Sequence, residues 1–143
     1  MIRYFDSSFI LARLLEQETD PKLGAFWRAS GRRLSSSLLR IECVIGVRRA
    51  ARLVGPDADR WAAVRVAALD RVMASVSFVN VDSPIEAIIR DTPMLAECRA
   101  LDAIHLATAL LVSRLEADAL QVVTLDKRMG RLARKLGMVA VPA

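Results

Sequence analysis

Histidine occurs once in this chain, cysteine twice, and aromatic residues make up only 5% of its 143 positions. A lone His105 excludes a histidine-rich metal centre, and nothing in the sequence resembles a Ser–His–Asp triad. No glycine-rich phosphate loop is present among the 6 glycines. Cys43 and Cys98 stand apart, each in a stretch read as helix, without a second Cys or His at ligand spacing. That pattern fits two reduced thiols better than a disulfide or a zinc site. The aromatics Tyr4, Phe5, Trp27 and Trp61 are read as core or partner contacts, which leaves little for stacking on a long single strand. No apolar run approaches the roughly 18–20 residues of a membrane span, and "MIRYFDSSFI" lacks the apolar core of a signal peptide. A cytoplasmic protein with no membrane contact is expected.

What is present is a composition of 54% hydrophobic and 26% charged residues, which excludes a disordered chain. The length suits one domain over 1–143, with no repeat or linker. The net charge is +5, and it is concentrated. Lys127, Arg128, Arg131, Arg134 and Lys135 oppose Asp126 alone, so the final helix carries nearly the whole excess. A basic face of this kind suits an anionic partner such as nucleic acid, although a solvated helix face has the same pattern.

"IRYF" at 2–5 reads as a strand, followed by a helix over about 8–17 in which Glu16 and Glu18 lie near the end. Asp20 and Pro21 have the chemistry of an N-cap and first turn. A short strand at 33–37 feeds a helix from Leu38 to about Leu53, and a long helix ends near Ala74. "VSFVNV" at 76–81 is β-rich, and "SPIE" at 83–86 has the form of a capping box, with Ser83 as N-cap and Glu86 at N3. Pro93 interrupts that run. A helix over about 100–116 leads to the strand "LQVVTL", a basic amphipathic helix at 127–136 stops at Gly137, and "MVAV" closes the chain as a strand. Strands separated by helices predict an α/β domain, a three-layer α/β/α sandwich around a central, mainly parallel sheet.

In such folds ligands gather beyond the carboxyl ends of the strands. Of 16 acids, most have ordinary places at helix starts, in i,i+4 pairs such as Glu86–Arg90, or on the surface. Four do not. Asp6 ends the first strand and Asp126 ends "LQVVTL". Glu42 sits in the apolar "IECVIGV", and Asp102 opens "RALDAIHLATALLV", where burial would strip it of water. Each alone has a structural reading: Asp6 and Asp126 as helix caps, Asp102 beside a helix dipole, Glu42 as a buried acid paired with an arginine. Together they place carboxylates at one sheet edge, where mutual repulsion favours a divalent cation. An all-carboxylate set suits Mg²⁺, with Mn²⁺ as substitute, and phosphodiester hydrolysis is the chemistry such a site supports.

"YFDSS", "SSSLLRIE", "RALDAIHLATAL" and "VVTLDKRMGRLARKLGM" resemble the motifs of PIN-domain nucleases, in particular the VapC-type toxins of toxin–antitoxin systems. The resemblance spans essentially the whole chain, and the stretch "DTPMLAEC" at 91–98 is its least typical part. It implies Mg²⁺-dependent endoribonuclease activity on a structured RNA, a VapB-like antitoxin partner and a homodimer. By that resemblance Asp6, Glu42, Asp102 and Asp126 form the catalytic acids, with Asp6 and Asp102 the primary metal ligands. Ser7 and Thr124 stand beside these acids, and Arg128 and Arg131 follow Asp126, in positions suited to substrate contacts. His105, one turn after Asp102, is read as a structural histidine. A PIN-like RNA-processing or DNA nuclease keeps the same fold. A non-catalytic nucleic-acid or protein binding module would not need the acidic quartet. A phospho-receiver domain would need paired acids after the first strand, where Asp6 stands alone.

Overall fold

The protein, described here by a computed structural model covering residues 1–15 and 21–142, is built on a five-stranded sheet. The strands are β1 (Ile2–Phe5), β2 (Arg32–Ser36), β3 (Ser77–Val79), β4 (Leu120–Val123) and β5 (Val139–Val141). Their spatial order is β3-β2-β1-β4-β5 and every pairing is parallel. The helices are α1 (Ser7–Leu14), α2 (Pro21–Ala29), α3 (Leu39–Ala51), α4 (Ala58–Met73), α5 (Ser83–Asp91), α6 (Ala100–Leu115) and α7 (Lys127–Lys135). A short 3-10 turn at Pro93–Glu97 joins α5 to α6.

Period-two alternation in the strands sorts the helices into two outer layers. Ile2, Tyr4, Leu120 and Val122 face one core with Ile85, Leu106, Ala107, Leu110, Met129 and Leu132 from α5, α6 and α7. Phe5 and Val123 face the other core with Phe9, Leu39, Cys43, Val47 and Leu69 from α1, α3 and α4. This is the expected three-layer sandwich. From β1 the chain winds outward through β2 to β3, then returns by α5 and α6 to lay β4 against the other side of β1. The direction of winding therefore reverses between β1 and β4, and a crevice opens beyond the carboxyl ends of those two strands.

Local chemistry sets most boundaries as expected. Gly137 takes φ +86, a conformation L side chains resist, and ends α7. Glu86 and Arg90 pair at 3.8 Å on exposed α5. The capping box is a correction. The cap is Asp82, whose carbonyl already accepts from the amides of Ile85 and Glu86, so Ser83 lies inside the first turn and no side chain caps it. Cys98 is also not helical; it lies in the bend before α6, half-buried, with its thiol donating to Leu95 O at 3.3 Å. Burial pushes the Cys43 thiol up to about 12, so it stays protonated inside the second core. The expectations for Glu16, Glu18 and Asp20 fall outside the described residues. No described helix is long and apolar enough to cross a membrane.

Candidate active site

The topology brings the four singled-out acids to one edge. Asp6 follows β1, Asp126 follows β4, Glu42 lies in the first turn of α3, and Asp102 in the first turn of α6. Both helix-cap readings of the strand-end acids hold at the same time. Asp6 Oδ1 accepts from Phe9 N at 3.4 Å, and Asp126 Oδ1 accepts from the amides of Arg128 and Met129 at 2.9 and 3.2 Å. Capping fixes these carboxylates in place and leaves Asp126 with a second oxygen.

Asp6, at 3% exposure, is the most deeply buried of the four. Its Oδ1 accepts from Ser8 Oγ at 2.7 Å and its Oδ2 from Thr124 Oγ1 at 2.6 Å. Ser8 Oγ in turn accepts from Leu125 N at 2.9 Å, and Thr124 Oγ1 from Asp126 N at 3.0 Å. Two hydroxyls thus tie the end of β1 to the end of β4. Burial pushes the Asp6 carboxyl up, and the hydrogen bonds from Thr124 and Ser8 only partly oppose this.

Asp102 is partly buried: it shares a helix face with the buried His105, Leu106 and Ala109, while the chain just before it, residues 99–101, is exposed. Partial burial and the neighbouring Asp126 charge push its carboxyl up, with His105 and Arg99 pulling the other way. Asp102 and Asp126 share a cleft of about 240 Å³ with Cys98, Arg99, Arg128 and Met129.

Glu42 is paired, though not with an arginine as considered from the sequence. Its Oε1 accepts from His105 Nε2, and its Oε2 accepts from Ser7 Oγ at 3.3 Å. The long-range partner was invisible in the sequence, where Glu42 and His105 are 63 residues apart. Ser8 was also missed. The signal for it is local: a hydroxyl two residues after a strand-end Asp reaches back to that carboxylate. Of the residues expected to contact substrate, Ser7 and Thr124 each donate to an acid. Arg128 lines the cleft of Asp102, while Arg131 lies in an adjoining cleft of about 390 Å³ with Lys127 and Arg134.

The donor chemistry at this edge is carboxylate oxygen throughout, which selects hard cations. Among the described residues no three acidic, histidine or cysteine side chains are gathered closely enough to cage an ion. Carboxylate oxygens of this kind suit a divalent cation whose remaining positions are filled by water.

The fold is that of a known class: the chain belongs to the PIN domain family, whose model matches residues 3–135. Among characterised relatives it is 33% identical over 138 residues to Ribonuclease VapC46 of Mycobacterium tuberculosis, covering 96% of this chain and 95% of that protein. FitAcB from Neisseria gonorrhoeae shares the fold with a TM-score of 0.72 at 20% identity, over 98% of this chain and 96% of that one. VapBC2 from Rickettsia felis, solved bound to a DNA fragment from its promoter, aligns with a TM-score of 0.66 at 11% identity, over 98% and 97% of the two chains.

Proposed function

We propose that the chain is a metal-dependent endoribonuclease, one nuclease domain over 1–143, and the toxin of a toxin–antitoxin pair. What supports this reading is the placement of Asp6 and Asp126 after β1 and β4, with Asp102 sharing a cleft with Asp126 and Glu42 bonded to His105 on the helix that carries Asp102. The relation to a ribonuclease across nearly its full length supports the substrate class. The relatives crystallised as VapBC2, and FitAB bound to a DNA fragment, support a VapB-like antitoxin as partner and assembly beyond the monomer, which we take to be a homodimer.

Asp6 and Asp102 are the residues that would hold Mg²⁺ or Mn²⁺; both carboxyls are pushed toward the protonated form, and a nearby cation relieves that strain. The bound cation would neutralise charge on the scissile phosphate and acidify water. Glu42 accepts the proton of the attacking water, with Ser7 and His105 holding its two oxygens. Thr124 and Ser8 fix the orientation of the Asp6 carboxylate at the ends of β1 and β4. Asp126 completes the negative edge, and Arg128 and Arg131 hold flanking phosphates of the RNA.

The expected result is that the purified chain cuts total RNA into discrete fragments with Mg²⁺ or Mn²⁺. Chelation stops the reaction and added metal restores it. Cleavage that persists in excess chelator, or no cleavage of any RNA with metal present, contradicts the reading.

A further inference from the structure

The single histidine of the chain is fully buried, yet both of its ring nitrogens are bonded to other elements. Nδ1 lies 2.7 Å from the Tyr4 hydroxyl on β1, and Nε2 meets Glu42 Oε1 on α3. Burial requires a partner for each ring nitrogen, and here neither partner is local: one comes from β1 and the other from α3. His105 thus bridges three elements across the layer boundary, from the first core to the acidic crevice.

We propose that His105, backed by Tyr4, is a positioning residue that fixes the orientation of Glu42 for proton acceptance. The proposal rests on the catalytic reading of Glu42 given above. A carboxylate has no proton to give, so the nitrogen facing it carries the hydrogen. Tyr4 selects that tautomer: its hydroxyl donates to Nδ1 and places the ring proton on Nε2, which donates to Oε1. The ring plane is set by its near-perpendicular contact with Tyr4, centroids 5.8 Å apart at 72°. With Oε1 held by the imidazole and Oε2 by Ser7, Glu42 is locked before substrate arrives.

The test uses two readouts on the full chain. With ¹⁵N-labelled histidine the protein gives one imidazole signal set, because it has one histidine. The expected pattern is a protonated Nε2 and an acceptor Nδ1 in the wild type, with the preference relaxed in Tyr4→Phe. A proton on Nδ1, or averaging of the two tautomers in the wild type, overturns the proposal whether or not an RNA substrate is in hand. In cleavage kinetics, His105→Leu is expected to lower kcat by about 10–100-fold with KM within about twofold. His105→Gln, which keeps an N–H near the position of Nε2, recovers much of that loss. The Tyr4→Phe/His105→Leu pair, which leaves no unpaired hydroxyl in the core, keeps the fold while kcat stays low. A folded His105→Leu or double variant with unchanged kcat, or Gln and Leu variants equally impaired, contradicts the positioning role. Absence of cleavage by the wild type is a failure of the proposed function instead, and the tautomer measurement still decides this inference.

Discussion

Asp6→Asn is expected to lower RNA cleavage by about 10²–10³-fold or more, the size of several kcal/mol of lost transition-state stabilisation. The same substitution is expected to raise the melting temperature of the metal-free protein near neutral pH. The second effect follows from the direction of the Asp6 shift. Burial lifts its carboxyl above the ordinary 3.8, so the folded state binds this proton more tightly than the unfolded chain. That contribution to stability is complete below the unfolded value and is lost as pH rises through the folded one. Above it the wild type carries a buried negative charge that Asn lacks. Ser8 and Thr124 can turn their hydroxyls to serve an amide, so the replacement keeps its partners. Melting curves from pH 4 to 8 should therefore show Asp6→Asn gaining on the wild type as pH rises. Mg²⁺ should close the gap by stabilising the wild type alone. An Asn variant less stable than the wild type at every pH contradicts this electrostatic account of the crevice.

Leu106→Ala is expected to destabilise the protein by about 2–5 kcal/mol, a fall in melting temperature of roughly 6–15 °C. Leu106 is fully buried at the centre of α6, between the helix and the sheet. It lies one turn after Asp102 and next to His105, so it anchors both without touching the crevice chemistry. Thermal or urea unfolding measures the loss. Cleavage well below the midpoint should stay within about threefold of the wild type, because the surviving folded molecules keep the same acidic edge. Loss of cleavage without loss of stability would mean that α6 contributes to the reaction directly and not as an anchor alone.

The contrast between these two substitutions shows what was readable in the sequence. The strands and helices were legible from period: Ile2 and Tyr4 against Arg3 and Phe5, or the apolar run "LQVVTL". The four acids stand out in the sequence as candidates, because two follow strands and two lie in apolar surroundings. The desolvation of Asp102 was legible in its apolar run, but its extent was not, since the exposed chain at 99–101 leaves one side of the carboxyl open. The pairing of Glu42 with His105 was not legible at all. It depends on β1 lying between β2 and β4, a neighbour relation set by the return of α5 and α6 and by no local pattern. Ser83 was misplaced for a smaller reason of the same kind: the carbonyl that starts a helix is chosen by the path of the chain, and at α5 that is Asp82.

The central claim is that the edge beyond β1 and β4 cuts RNA. The most direct test is to map RNA ends in cells after inducing the wild-type chain and, in parallel, Asp6→Asn. The account predicts new ends at discrete positions with the wild type and none with the variant. The same new ends from both chains, or none from either at equal expression, would contradict it.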